Sequence, residues 1–212
     1  MEAIDSHELV EKYILEGEHV TQDFKQQITN ARKIAKTIVA FANNKGGRII
    51  IGVDDFGDIL GVDVEEEIFM IEEAAEHYCD PPVDVNFVIH EQDGIEVVEV
   101  NIPNSLKKPH AAQELDGTWT MYIRSNDQCR ILTKTSLKSL SDDDEPADES
   151  KLDSKERELL QLLRKRNEIG IGEYARHINI SFRRARRMMF NLTNEGFLIH
   201  HQDERGDYFT LK

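Results

Sequence analysis

A dense cluster of arginines lies in the C-terminal third of the chain. Arg183, Arg184, Arg186 and Arg187 fall within five consecutive positions, and no acidic residue interrupts them. Guanidinium groups pair bidentately with phosphate oxygens and with the guanine edge in the DNA major groove. At about 100° per residue, four such side chains on a helix cannot all point the same way. Arg183 and Arg187 share a face that extends to Arg184, and this face predicts a nucleic-acid contact.

The elements around this cluster follow the order of a winged helix-turn-helix domain. The pattern predicts helices over residues 153–166, 171–177 and 181–195, followed by strands over 197–199 and 208–211. Ser181 is the expected cap of the third helix, which Gly196 ends. Arg205 falls in the turn between the strands, where a wing meets the DNA backbone or minor groove. Because winged helices also bind proteins, a protein–protein interaction module remains an alternative.

Charge is distributed unevenly along the chain, whose net charge is −15. Residues 151–212 hold 13 basic and nine acidic residues, a net of +4, which leaves −19 for residues 1–150. An acidic surface repels phosphates, so the asymmetry indicates one basic module carried by an acidic body. Six acids in residues 141–150 predict a solvated linker over 141–152, between domains at 1–140 and 153–212. An alternative role for the acidic tract is to cover the basic module and inhibit it.

The N-terminal part predicts a mixture of helices and strands. Helical periodicity covers residues 6–16, 28–43 and 65–79, and strand patterns cover 48–53, 83–89, 95–102, 118–124 and 129–132. Glu91 to Gly94 indicates a hairpin turn between two of these strands. We expect the strands around Trp119 and Tyr122 to extend the sheet of that hairpin. The predicted fold class is therefore α+β.

Several sequence blocks of this part resemble the Alba-like domain of the Schlafen family. They are Thr-Gln-Asp-Phe-Lys at 21–25, Ile-Val-Ala-Phe-Ala-Asn-Asn-Lys-Gly-Gly at 38–47, the Ile-Gly-Val-Asp block within 49–57, and Gly-Val at 61–62. Lys-Pro-His at 108–110 and Tyr-Ile-Arg at 122–124 fit the later pattern, so the resemblance covers about residues 8–135. It implies a mixed sheet with flanking helices and a nucleic-acid role. Together with the arginine helix, it predicts a DNA-binding transcriptional regulator, with DNA a better candidate than RNA.

The resemblance also implies an enzymatic alternative. Some Schlafen relatives cleave RNA with three carboxylates, and the matching positions here are Glu18, Asp23 and Asp54. Three converging carboxylates could hold Mg²⁺ or Mn²⁺ and activate water, which would make the protein a metal-dependent endoribonuclease. The structural alternative is that Asp23 pairs with Lys25 and that Asp54 caps a turn. Apart from that divalent ion, no cofactor is expected.

The sequence lacks the motifs expected of an ATP site, a structural metal site, a disulfide framework or a membrane span. The segment Asn43 to Gly47 lacks the spacing of a phosphate-binding P-loop, so the ATP-binding label sometimes given to such domains has no support. His77, Cys79 and the pair His200-His201 form no recognisable ligand set, so we expect exposed or edge histidines. The two cysteines exclude a disulfide framework. No apolar run approaches the roughly 20 residues of a membrane span, and the N-terminus is acidic, which predicts a cytoplasmic protein.

A homodimer is the expected assembly. Schlafen cores pair two Alba-like lobes within one chain, and this chain resembles one lobe. The apolar hairpin at 83–102 would leave a sheet edge that invites pairing with a second copy. The competing expectation is a monomer whose edge is protected by Lys107, Lys108 and Pro109.

Overall fold

The computed structural model describes residues 6–133, 148–204 and 206–212. The chain divides into two compact units, residues 1–130 and residues 131–212. Each unit has its own hydrophobic core. The acidic tract at 141–147 and Arg205 lie outside the described residues, so the predicted linker and the predicted wing-tip contact stay predictions.

The N-terminal unit combines three helices with two four-stranded sheets. The helices are α1 (Ser6–Glu16), α2 (Ala31–Ala42) and α3 (Val64–His77). The strands are β1 (Gln22–Lys25), β2 (Gly47–Ile51), β3 (Cys79–Asp80), β4 (Asn86–Gln92), β5 (Ile95–Ile102), β6 (Ala111–Gln113), β7 (Trp119–Ser125) and β8 (Gln128–Ile131). The predicted α+β class is confirmed.

The strands form two separate sheets. The first has the order β1-β2-β5-β4, in which β1 and β2 are parallel and the other pairs are antiparallel. The second has the order β3-β6-β7-β8. The expectation that the strands around Trp119 and Tyr122 extend the hairpin sheet is therefore wrong. β7 pairs with β6, and β6 pairs with the two-residue strand that follows α3.

Helix α2 forms the centre of the N-terminal core. The side chain of Asn30 caps its first turn by accepting a hydrogen bond from the Lys33 amide at 3.0 Å. Ile34, Ile38 and Phe41 follow at helical spacing and are buried in the core that α2 shares with α3 and both sheets. On the opposite face of the first sheet, α1 buries Val10 and Tyr13 against β2 and β5 in a smaller cluster.

The two asparagines after α2 connect the helix to the second sheet. The buried carboxamide of Asn43 donates to the carbonyls of His110 and Tyr122 at 2.8 Å and accepts from the His110 amide at 2.7 Å. Asn44 donates to the Arg124 carbonyl at 2.8 Å. Gly46 follows with φ +77°, and a Cβ there would lie 2.7 Å from the Ile102 carbonyl oxygen. The segment is thus a tight helix end packed against β5, where only glycine fits.

The described residues of the C-terminal unit form three α-helices and a three-stranded antiparallel sheet. A short 3₁₀ helix, Glu149–Lys151, precedes α4 (Ser154–Arg166), β9 (Ile169–Gly170), α5 (Ile171–His177), α6 (Phe182–Asn194), β10 (Leu198–Asp203) and β11 (Gly206–Leu211). The sheet order is β10-β11-β9. Asp153 and Glu156 form a capping box that starts α4. The core packs leucines of α4 against Tyr174 and Phe209, which are fully buried.

Within residues 6–133, 148–204 and 206–212, no helix is long and apolar enough to cross a membrane.

Candidate nucleic-acid interface

Helix α6 positions the arginine cluster. The Ser181 hydroxyl accepts a hydrogen bond from the Arg184 amide at 3.3 Å and caps the helix, which ends before Gly196, a residue with φ +80°. One face of α6 is buried and fixes the rotation of the helix on the core. The buried residues of this face are Ala185, Met188, Met189, Leu192 and Thr193. The opposite face is exposed to solvent.

All four predicted arginines lie on the exposed side of α6. None of them forms an ion pair with any residue that the structure describes. They surround a shallow hollow of about 490 Å³. The hollow is lined by Ser181, Arg183, Arg184, Arg186, Arg187, Phe190 and Asn191.

The electrostatics of this surface favour an anionic partner. Helix α6 contains four basic residues and no acidic residue. Like charges on adjacent turns of a helix repel one another and destabilise it slightly, so the cluster gains nothing for the fold. An anion bound from solvent would neutralise the repulsion. A polyanion with regularly spaced charges fits a row of arginines better than a single small ion does.

An aromatic stack supports one of the arginines. The Arg186 guanidinium carbon lies 4.7 Å from the centre of the Phe190 ring. That ring packs against His200 at 4.8 Å and against Phe209 at 5.4 Å, edge-on. The imidazole of His200 lies 2.9 Å from the Asp207 carboxylate on the neighbouring strand. Arg186 is therefore held on the side of α6 that faces the β10–β11 hairpin.

The histidine pair of β10 corrects one expectation. Exposed or edge histidines were expected, and β10 is indeed an edge strand, yet His200 and His201 are both buried. The His201 imidazole lies 2.9 Å from the Thr210 hydroxyl, just as His200 meets Asp207. The partners stand on the neighbouring strand and satisfy the ring nitrogens, which a single-strand pattern cannot reveal.

Asn191 is a candidate that the sequence interpretation missed. Its side chain is exposed and lines the hollow beside the arginines. Of its two neighbours, Phe190 is half-buried and Leu192 is fully buried. The signal was present in the spacing, because Asn191 lies four residues after Arg187 and eight after Arg183.

Asp23, one of the three carboxylates of the nuclease alternative, is buried in ion pairs. Its Oδ1 lies 2.8 Å from the Arg124 guanidinium, and its Oδ2 lies 2.6 Å from the Lys25 ammonium. Burial alone would lower the pKa of Arg124, but the negative charge of the neighbouring Asp23 carboxylate raises it. Arg124 also donates to the carbonyls of His19 and Gln22. The arrangement is the one expected of a structural ion pair.

The other two carboxylates lie together in a second hollow of about 380 Å³. Glu18 accepts a hydrogen bond from the Phe24 amide at 3.1 Å, and Asp54 accepts from the amides of Phe56 and Asp58. Across the described parts of the chain, no three His, Cys, Asp or Glu side chains are grouped so that they could hold a metal ion. Glu18 and Asp54 thus line one hollow while Asp23 is held in ion pairs, and the ribonuclease alternative stays a prediction.

Residues 18–133, more than half of the chain, match the sequence profile of the Schlafen AlbA_2 family. The chain belongs to this family. The AlbA_2 match includes all three carboxylates and ends before α4 begins, so the arginine helix lies in the part of the protein beyond the family domain. No curated protein sequence matches the chain.

Two solved structures are distantly similar to the chain. One is the N-terminal domain of a Nitrosomonas europaea protein that is named as related to the ATP-dependent DNA helicase RecG. It has 18% identity and a TM-score of 0.45, over 57% of this chain and 88% of that domain. The other is the DIP2311 protein of Corynebacterium diphtheriae, with 17% identity and a TM-score of 0.45. The match covers 91% of this AlbA_2 chain but only 34% of the Corynebacterium protein.

Proposed function

We propose that this protein is a DNA-binding transcriptional regulator whose C-terminal unit is a winged helix-turn-helix domain. The observation that carries the proposal is the set of four exposed arginines on α6, none ion-paired with a described residue. Proteins that contain the AlbA_2 domain often bind nucleic acid, which supports the same assignment. The net charge of −19 on residues 1–150 favours a contact through the basic unit.

The element order of the C-terminal unit supports the winged-helix assignment. Helices α4, α5 and α6 are followed by the β10–β11 hairpin, and the short strand β9 between α4 and α5 joins the sheet beside β11. In winged helices the third helix enters the major groove and the hairpin forms the wing. The AlbA_2 domain would then dimerise the protein or sense a signal.

The first test is duplex binding by the double variant Arg183→Ala/Arg187→Ala. We expect its affinity for a random-sequence duplex at low salt to fall at least tenfold, with a shallower dependence on salt, because two phosphate- or base-contacting charges are removed. Fluorescence anisotropy of a labelled duplex measures both quantities.

A matched control keeps the total charge change the same. Arg164 and Arg166 lie at the end of α4, and their guanidinium groups are ion-paired with Glu149 and Glu173. The variant Arg164→Ala/Arg166→Ala should bind DNA within about threefold of the wild type, since these charges are already neutralised nearby. Equal losses in both double variants would contradict a specific role of α6. No duplex binding by the intact chain, together with a stable protein partner, would favour the interaction-module alternative.

We also propose that the protein is a homodimer paired through β4. This strand is an edge of the first sheet and carries no lysine or proline. The side chains of Val88 and Ile89 on this strand are 45% and 48% exposed. An exposed edge strand with apolar side chains tends to pair with another strand unless it is covered. The competing protection by Lys108 is weakened because its ammonium donates to the Asn44 carbonyl at the end of α2.

Light scattering at micromolar concentration tests the dimer. We expect twice the monomer mass of 24.4 kDa for the wild type and for a control, Leu115→Lys, which alters an exposed leucine on a loop. Ile89→Lys should shift the mass to that of the monomer, because a lysine on each copy would be brought together at the paired edge. A wild-type mass of 24.4 kDa would refute the proposal.

A further inference from the structure

Three polar side chains follow one another along the exposed face of α6. Arg183, Arg187 and Asn191 are spaced by four residues, and all three are exposed. Residues four apart on a helix differ by about 40° in direction, so the row turns by about 80° from Arg183 to Asn191 while it stays on the exposed side. The row lies opposite the buried face that fixes α6 on the core.

The other two arginines lie on the two sides of this row. Measured from the direction midway between Arg183 and Arg187, Arg184 points about 80° to one side and Arg186 about 80° to the other. Asn191 points about 60° to the Arg184 side, but it lies seven residues, or about 10 Å, further along the helix. The two flanking arginines differ in the contacts that hold their side chains. Arg186 rests on the Phe190 ring, which His200 and Phe209 hold in place, whereas no aromatic ring among the described residues stacks on Arg184.

The chemistry of the row matches base edges, and that of the flanks matches phosphates. Arginine donates two hydrogen bonds to O6 and N7 of guanine, and asparagine pairs with N6 and N7 of adenine. Both patterns are presented in the wide major groove of B-form DNA, and the deep, narrow major groove of duplex RNA is closed to side chains. Arginines about 80° to each side of an inserted helix point toward the two groove walls, where the phosphates lie.

On the basis of the proposed function, we infer that Arg183, Arg187 and Asn191 determine sequence specificity, and that Arg184 and Arg186 hold the phosphates on either side. The ligand is a B-form duplex that presents guanine and adenine in the major groove. Phe190 is a positioning residue, since it acts through the guanidinium group of Arg186.

The test begins with selection of the preferred sequence from a random duplex pool by the full chain. The selected duplex and a shuffled one then give a discrimination ratio for each variant. We expect Arg183→Ala, Arg187→Ala and Asn191→Ala each to lower this ratio about tenfold. Arg184→Ala and Arg186→Ala should weaken binding to both duplexes equally, leave the ratio within about twofold, and each reduce the salt slope by about one.

The positioning role has its own readout. Phe190→Leu keeps an apolar side chain but removes the ring, and it should reduce the salt slope as Arg186→Ala does. Phe190→Tyr keeps the ring and should restore the slope. An unchanged slope in Phe190→Leu, or a reduced slope in a Phe190→Tyr variant of normal thermal stability, would refute the positioning role.

The remaining outcomes separate this inference from the proposed function. If the wild type binds all duplexes alike, or if discrimination is lost in Arg184→Ala and Arg186→Ala but kept in the row variants, the inference is wrong while DNA binding stands. Competition by duplex RNA at equal concentration would also overturn it. Failure of the intact chain to bind any duplex would instead refute the proposed function.

Discussion

The two units use arginine in opposite ways. In the N-terminal unit, Arg124 is almost fully buried, and its guanidinium group contacts the Asp23 carboxylate and two backbone carbonyls. In the C-terminal unit, the arginines of α6 are exposed and none is ion-paired with a described residue. A charge that is satisfied inside the protein is a contribution to the fold. A cluster of like charges without ion-pair partners among the described residues costs the fold a little, so the stability of the fold gives no reason for it.

Glu67 is a second charged side chain of the N-terminal unit that is buried and hydrogen-bonded within the protein. Its carboxylate is buried and accepts the Ile28 amide with both oxygens, at 3.2 and 3.0 Å. Burial raises the pKa of Glu67, and the hydrogen bond from Ile28 opposes that rise. The residue therefore connects α3 to the segment that precedes α2. By contrast, Arg164 with Glu149 and Arg166 with Glu173 form their ion pairs on the exposed surface of the C-terminal unit.

The largest effect should come from breaking the buried arginine contact. Arg124→Ala leaves Asp23 buried with Lys25 as its remaining partner and removes the donor to two carbonyls. We expect a loss of about 3–5 kcal/mol in the free energy of unfolding of the N-terminal unit. Urea denaturation followed by the fluorescence of Trp119, the one tryptophan of the chain, reports on this unit. Lys33→Ala, which removes an exposed charge, should change the stability by less than about 0.5 kcal/mol. If both variants lose a similarly small free energy of unfolding, Arg124 does not stabilise the N-terminal unit and the difference between the two units is contradicted.

A smaller loss is expected from Asn43→Ala. The substitution leaves three buried backbone groups, belonging to His110 and Tyr122, without their partner, and should cost about 2 kcal/mol. The same urea titration measures it. The exposed Asn104 provides the control, and Asn104→Ala should be nearly neutral. If both asparagine variants lose the same stability, the buried carboxamide does not connect α2 to the second sheet in the way proposed.

The smallest effect on stability should come from the arginines for which we propose DNA binding. Arg183→Ala/Arg187→Ala should leave the thermal midpoint of the C-terminal unit unchanged or slightly raised, since it relieves repulsion and removes no described ion pair. Leu192→Ala on the buried face of the same helix should instead cost about 2–5 kcal/mol. Far-UV circular dichroism during heating compares the two. Destabilisation of the arginine variant to the level of Leu192→Ala would mean that these arginines serve the fold.

Sequence patterns predicted elements well where the element carries its own periodicity. The predicted strand at 95–102 and the predicted helix at 171–177 have the same bounds in the structure. The missed strands β1, β3, β6 and β9 are two to four residues long. Their conformation depends on the strands beside them, which no local pattern encodes. The division into two sheets was missed for the same reason, because pairing is a long-range property.

For the candidate interface, the sequence predicted which residues would be charged and exposed but not how they would be arranged. The arginines followed from their spacing and from the capping signal at Ser181. The support of Arg186 by Phe190 and His200 depends on the hairpin folding back onto α6, which only the tertiary structure defines. In the nuclease alternative, Asp23 matched a family position, but its partner Arg124 lies 101 residues further along the chain.

The contacts of Arg124 and Asn43 have a consequence for how the N-terminal unit unfolds. Arg124 extends from β7 in the second sheet to the backbone of β1 in the first, and Asn43 joins the end of α2 to the second sheet. Neither sheet can therefore open without exposing polar groups of the other. Amide protons in the centres of the two sheets, such as those of Ile50 and Ile123, should exchange with solvent in a single cooperative event, so that two sheets without shared strands behave as one foldon.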